Sequence, residues 1–361
     1  MAVLGAGAGG AAATVDLTLR GHQVRLWNRS PATLEPFQAA GRISYQGVLG
    51  AGTVSPEAIT DDLPQALKGA DAVLVCLPAL AHGHLARALG DAGVAAPIVL
   101  HPGHTGGALH FRNIFRQRDM QVPPLAELST LAYVARKHAG DSVTISGVAA
   151  RLRAACLPGG EEALSTACAL YPASRPERDV LATDLANVNL VLHPPGAILA
   201  AAWIEATHGD FLFYAEGVTP GVAATIGALD RERLAVATAF DHHLSPLHEE
   251  MAAIGTADPT AAARGDIAAA IKQGKANAAI RAPDSLAHRY YTEDFGYGLV
   301  PLIELAHIAA VDAPVAKSLL LLGETLLGAN LRSDGLNAAR LGLTNYDRGQ
   351  LLDLVRGMIT T

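Results

Sequence analysis

Short apolar runs bounded by glycine and proline punctuate the first half of the chain: AVLGAG from Ala2, HQVRLWN at 22–28, DAVLVCLP at 71–78 and PIVLHPG at 97–103. Runs of this length with no polar alternation suit strands covered on both faces, the habit of a parallel sheet flanked by helices. DSVTISGV at 141–148 reads as a further strand, followed by a helical stretch and the proline-containing LYPASRPERD. Past about residue 180 the pattern changes to long Ala- and Leu-rich helical stretches, running through GDIAAAIKQGKANAAI to the C-terminus. The expected fold class is therefore α/β, with a doubly wound parallel sheet over residues 1–180 and an all-α domain over 181–361. At 361 residues the chain is longer than one core usually fills, which agrees with two domains.

Half of the residues are hydrophobic and the mean hydropathy is positive, so a membrane protein has to be considered. No stretch approaches the roughly 18 uninterrupted apolar residues of a spanning helix. The richest, SLLLLGETLLGANL from Ser318 to Leu331, is interrupted by Gly323 and Glu324 and reads as a buried helix. The opening MAVLGAGAGG lacks the basic stretch and long apolar core of a secretory signal. Its strand is short, which leaves open whether natural residues precede Met1. Cys76, Cys156 and Cys168 are odd in number and lack ligand spacing, so a reducing, cytoplasmic setting without disulfides is expected. The net charge of −7 is dispersed, with no basic run of the kind that binds nucleic acid. Small molecules are the expected partners, with no nucleic acid and no membrane. A homodimer is expected through the apolar helical half, although a larger core explains the same composition.

VLGAGAGGAAA places Gly5, Gly7 and Gly10 in the GxGxxG register, after a strand and before an Ala-rich helix. The first glycine permits the turn, the second lets backbone approach a pyrophosphate, and the third lets helix and strand pack closely. The helix N-terminus adds unpaired N–H groups facing the phosphates. The second strand ends in Asn28, Arg29 and Ser30, about where a ribose-contacting residue belongs, and no carboxylate follows until Glu35. Donors and a positive charge there favour NADP, with NAD the alternative. Pro78, closing VCLP, is expected to border the cofactor crevice, and HPGHTGG to form a loop near the nicotinamide.

The helical half carries one conspicuous basic group in an apolar setting, within ANVNLVLHPPGAIL at 186–199. Asn189 stands one helical turn before His193, and Pro194 with Pro195 is expected to end the helix there. About a hundred residues on, RYYTEDFGYGLVP contains Arg289, Glu293 and Asp294. A carboxylate beside an imidazole fixes its tautomer and raises its proton affinity, and an arginine fork grips a substrate carboxylate. Other histidines, in AHGHLA, HPGHTGG and DHHLSPLHEE, invite a metal reading, but Pro246 interrupts the last and best of these sets. No metal is expected.

VLGAGAGG, LVCLPALAHGHLA, LHPGHTGGALHFRNI, LANVNLVLHPP and RYYTEDFGYGLVPL, in this order and spacing, resemble the opine dehydrogenases of the octopine, nopaline and carboxyethyl-norvaline type over nearly the whole chain. The resemblance implies a Rossmann domain followed by a helical domain, with substrate in the cleft between them. It implies that His193 and Asp294 form the catalytic pair, that Arg289 holds the carboxylate of a 2-oxo acid, and that Glu293 is structural. It further implies reductive condensation of that acid with an amine at the expense of NADPH or NADH. Asn189 is a further candidate for substrate binding, with helix packing the alternative. AELSTLAYVARKH offers Glu127, Thr130 and Arg136 for the amine side, of which Thr130 is taken as a substrate contact. Two other functions stay open: a 2-oxo acid reductase or hydroxyacid dehydrogenase on the same plan, and a dinucleotide-binding protein without turnover.

Overall fold

The structure, a computed structural model, describes residues 1–357 and divides into two compact units. The first comprises 1–103 and 114–180, the second 104–113 and the chain from Leu181 onward. Twelve strands lie in the first unit: β1 (Ala2–Leu4), β2 (Arg25–Trp27), β3 (Ile43–Gly47), β4 (Gly52–Val54), β5 (Ala58–Thr60), β6 (Val73–Val75), β7 (Ile98–Leu100), β8 (Leu125–Leu128), β9 (Tyr133–Lys137), β10 (Ser142–Val148), β11 (Leu152–Cys156) and β12 (Ser174–Pro176).

Eight of them form one sheet in the order β12-β11-β8-β7-β6-β1-β2-β5. The chain builds outward from β1 through β2 to β5, then returns to the other side of β1 with β6, so the strand order reverses between β1 and β6. In open α/β sheets such a switch point is where ligands bind. β1, β6 and β7 are buried along their whole length, as their unbroken Ala, Val, Leu and Ile content predicts. The helix Ala8–Leu19 buries Ala11, Ala12, Ala13, Val15 and Leu17, and its small side chains let it lie close to the sheet.

The large sheet is parallel through β5-β2-β1-β6-β7-β8, as expected, and departs from that only where β11 runs antiparallel to β8. No helix connects this pair; the chain between them makes β9 and β10 instead, and a parallel return needs a longer, usually helical, crossover. DSVTISGV is a strand, but β10 belongs to a second sheet of order β4-β3-β10-β9. It pairs parallel with β3 and antiparallel with β9, with a register break between Ile145 and Gly147. Its pattern already differs from the core strands: Val143 and Ile145 are buried while Thr144 and Ser146 are not, the alternation of a sheet covered on one face. Tyr133 of β9 donates its hydroxyl proton to Asp16 on the helix Ala8–Leu19 at 2.7 Å, tying this second sheet to that helix.

Helices make up the second unit. The longest, Pro220–Ala239, is capped by Thr219, whose side chain accepts from the Val222 N–H. Within it Asp230 and Arg233 form a buried ion pair at 2.7 Å. Arg233 also donates to the carbonyls of Leu185 and Ser245, and Asp230 accepts from the Leu247 N–H, each at 2.8 Å. Glu232 accepts the N–H groups of Val315 and Ala316 at the start of the helix Pro314–Leu327, a favourable end for a carboxylate. That helix is only half buried: Leu319 and Leu320 face inward, while Leu321, Leu322 and Leu326 are exposed, which corrects the expectation of a core helix. Among the described residues no single helix is long and apolar enough to cross a membrane.

Residues 104–113 join this unit through specific bonds. The Gly106 N–H donates to Asp184 Oδ1 at 2.6 Å, Thr105 Oγ1 to the Asp184 carbonyl at 3.2 Å, and Asn187 Nδ2 to Thr105 Oγ1 at 3.1 Å. Asn113 Nδ2 reaches the carbonyls of Ala339 and Arg340, both at 2.9 Å.

Candidate active site

The glycine loop follows β1. Gly5 has φ of 121°, and a Cβ there would stand 2.4 Å from the Cys76 carbonyl oxygen. A Cβ on Gly10 would come within 1.7 Å of the Gly5 carbonyl oxygen. The protein itself therefore demands glycine at both positions. Gly7 differs, since a Cβ there would meet nothing within 4 Å. It is the N-cap of the helix Ala8–Leu19, so the space over it lies against that helix's unpaired N–H groups, where a diphosphate fits.

Asn28, at the end of β2, is buried and engaged with backbone: its Oδ1 accepts the Ala6 N–H at 3.1 Å and its Nδ2 donates to the Ser30 carbonyl at 3.3 Å. It holds the glycine loop to the second strand. Arg29 and Ser30 are exposed, and Arg29 makes no ion pair among the described residues. Pro78 is exposed and caps the helix Ala79–Asp91. Sequence reading overlooked Lys137, the last residue of β9. Its ammonium donates to the carbonyls of Thr33 at 2.7 Å and Ala6 at 3.4 Å and lies 4.2 Å from the centroid of the Phe37 ring. Partial burial lowers its pKa. Nothing but its presence in a half-buried strand marked it in the sequence. Thr130 follows β8 and is half buried, Glu127 is buried within β8, and Arg136 lies exposed on β9.

In the second unit the helix Asn189–Leu199 carries Asn189 and His193. Pro194 and Pro195 do not end it, contrary to expectation; the chain bends only at Ala200, by 64° into Ala201–Thr207. The prolines withhold N–H groups from the carbonyls of Leu190 and Val191, yet the surrounding residues are buried and the packing holds the helical path. His193 is buried, with Nδ1 2.8 Å from Asp294 Oδ2.

Asp294 reaches it from a chain segment 101 residues away. It precedes a π-helical turn, Phe295–Leu299, closed by the Leu299 N–H donating to the Asp294 carbonyl at 2.9 Å. Gly298 in that turn packs on the histidine's helix: a Cβ there would lie 2.9 Å from Leu190 Cβ. The absent side chain is what lets the turn approach closely enough for the carboxylate to touch the ring. Because a carboxylate only accepts, Nδ1 carries the proton, and Nε2 of the neutral ring is left as an acceptor. Tyr214 supplies the donor there, its hydroxyl 2.8 Å from Nε2, and Tyr290 stacks on the imidazole with centroids 3.8 Å apart. Neither tyrosine was singled out in the sequence.

Glu293 is buried, with Oε1 3.4 Å from His104 Nε2 and Oε2 3.4 Å from Arg289 Nε. Arg289 itself is half exposed at the start of the short helix Arg289–Thr292, one turn from Glu293. The side chain of Asn189 makes no hydrogen bond within the protein among the described residues, although its N–H is held by Asn187 Oδ1 at 3.1 Å. Among the described residues no three His, Cys, Asp or Glu side chains converge as a metal-ligand set.

Two family models match the chain: NAD/NADP octopine/nopaline dehydrogenase, alpha-helical domain, over residues 176–327, and ketopantoate reductase PanE/ApbA over residues 1–100. An opine dehydrogenase from Arthrobacter sp. (strain 1C) is 33% identical over 346 residues, which is 95% of both chains. The chain belongs to the opine dehydrogenase family. Its fold agrees with octopine dehydrogenase solved with NADH and agmatine, at a TM-score of 0.76 and 22% identity over 100% of this chain and 98% of that one. An octopine dehydrogenase with NADH and pyruvate gives 0.70 and 23% over 94% and 95%. Yersinopine dehydrogenase with NADP+ gives 0.72 and 18% over 99% and 97%. As a family member the chain is an oxidoreductase that works with a nicotinamide dinucleotide.

Proposed function

We propose that this opine dehydrogenase joins a 2-oxo acid, such as pyruvate, to an amino acid or other amine and reduces the product to a secondary amine. The observation that carries this reading is the buried His193–Asp294 pair, with Nδ1 and Oδ2 2.8 Å apart. Octopine dehydrogenase, similar in fold, has been solved with pyruvate and with agmatine, one compound of each class.

The glycine loop and the N-terminus of the helix Ala8–Leu19 would hold the diphosphate, and the open face of Gly7 fits it. The dinucleotide, when bound, supplies hydride to the imine carbon. The protein's own groups manage protons and position. His193 is the source of the proton that goes to the departing hydroxyl of the carbinolamine and the sink for the one lost when the amine adds. Asp294 holds its tautomer and stabilises the imidazolium. Arg289 presents a planar pair of N–H donors to the substrate carboxylate, and Asn189, with its amide uncommitted, offers a further polar contact. Thr130 is assigned to the substrate side as well. NADP is the favoured cofactor, supported by the exposed Arg29 beside Ser30 and by Lys137 near the same loop; NAD is the alternative. Cytoplasmic location and a homodimer complete the reading, on composition alone.

Purified protein assayed with pyruvate, NADH or NADPH, and a panel of amino acids and agmatine tests it. Cofactor oxidation that depends on an amine is expected. Oxidation at the same rate without amine would overturn the reading in favour of a 2-oxo acid reductase. Cofactor binding without turnover across a broader acid and amine panel would favour the non-catalytic alternative.

A further inference from the structure

Both nitrogens of His193 are occupied by protein groups: Nδ1 by Asp294 and Nε2 by the Tyr214 hydroxyl, each at 2.8 Å. The imidazole is buried, and so is Tyr214. A histidine that exchanges protons with a substrate needs a free nitrogen, and this one presents none. The tyrosine hydroxyl is at once donor and acceptor, the two properties a relay requires. Its oxygen lies 3.1 Å from the Tyr290 hydroxyl, and Tyr290 covers one face of the imidazole with ring planes 20° apart. The arrangement is built into the fold. Gly196, three residues after His193, leaves room that a Cβ would take, 2.8 Å from the tip of the Phe213 ring. That close seat fixes Phe213 and, through it, the adjoining Tyr214.

We propose that Tyr214 is a catalytic residue standing between His193 and the substrate, its hydroxyl passing the proton that His193 gives or takes. This rests on the reading of His193 as the proton-transfer group. In carbinolamine dehydration, imidazolium Nε2–H passes its proton to the Tyr214 oxygen while the Tyr214 O–H proton goes to the departing hydroxyl. The C–O bond breaks, water leaves, and the nitrogen lone pair forms C=N. The imidazole ends neutral and the phenol is restored; no oxidation occurs in this step. When the amine adds, the same two transfers run in reverse, from ammonium through the phenol to Nε2.

The test compares wild type, Tyr214→Phe and His193→Gln, using pyruvate with whichever panel amine gives the largest kcat, each variant first checked for folding by thermal unfolding. Tyr214→Phe is expected to lower kcat about 100-fold, the scale of one acid–base contribution, with KM for pyruvate changed less than about threefold. The kcat of wild type in H2O–D2O mixtures should curve, reporting two protons in flight, and that of Tyr214→Phe should become linear. Full activity in Tyr214→Phe together with inactive His193→Gln overturns the relay and leaves the histidine reading intact. Full activity in His193→Gln overturns both. If Tyr214→Phe misfolds, a fluorinated tyrosine with a more acidic phenol at position 214 replaces it. A shifted pH profile of kcat then supports the relay, and an unmoved one overturns it.

Discussion

His101 follows β7 and is fully buried, stacked on Tyr171 with centroids 4.8 Å apart. Its Nε2 accepts the Ala132 N–H at 2.7 Å, so the neutral ring carries its proton on Nδ1, which faces Cys76 Sγ at 3.3 Å. Burial alone depresses its pKa from 6.5 to about 3. For a base held neutral in the fold, the unfolded chain takes up the proton first. Stability is therefore complete above the unfolded value and falls as the pH drops through the window from about 6.5 to about 3. Linkage over that window amounts to about 2 kcal/mol at pH 5 and about 3 kcal/mol at pH 4. The perturbation is His101→Gln, whose side-chain oxygen can take the Ala132 N–H but does not titrate. The assay is urea unfolding at pH 7 and pH 5 in a Trp203→Phe background, which leaves Trp27 of β2 as the one tryptophan, reporting on the first unit. Between the two pH values the protein with His101 should lose about 2 kcal/mol more than the variant. Parallel losses would refute the reasoning.

Three further results are expected. Gly7→Ala should change stability by no more than about 1 kcal/mol, the scale of an N-cap exchange, yet weaken NADPH binding more than tenfold by fluorescence titration. Gly10→Ala should destabilise the first unit outright through its contact with the Gly5 carbonyl; wild-type NADPH affinity in Gly7→Ala would remove the loop from the diphosphate site. Asp230→Ala leaves Arg233 buried without its carboxylate and should cost the second unit about 3–5 kcal/mol, read by chemical unfolding. A cost below about 1 kcal/mol would show that the two backbone carbonyls satisfy the guanidinium without it.

The glycine register and the unbroken apolar runs made the first unit's large sheet legible, because a glycine demanded by a 1.7 Å approach and a strand buried on both faces leave little choice of residue. The second sheet was harder to see. ISYQG and GTV are short and half polar, and strands of that kind are specified by their partners rather than by their own composition. Pro194 and Pro195 misled, since local propensity says stop while burial on every side keeps the helix going. Leu321 and Leu322 misled in the opposite direction, as hydrophobicity does not say which face is covered. Asp294 was placed near His193 by motif order and family resemblance. Tyr214 had no such context, because FLFYAEG shows no spacing or charge that ties it to an imidazole 21 residues earlier.

The bonds from Thr105, Gly106 and Asn113 to Asp184, Asn187, Ala339 and Arg340 bear on how the protein can be recombined. A chimera that exchanges the sheet-bearing half by cutting once near residue 180 would transplant residues 104–113 away from every one of those partners. It would strand the buried Asp184 carboxylate without the Gly106 N–H. Cofactor preference can be grafted cleanly only if that ten-residue segment travels with the recipient's helices, so the unit of inheritance here is discontinuous in sequence.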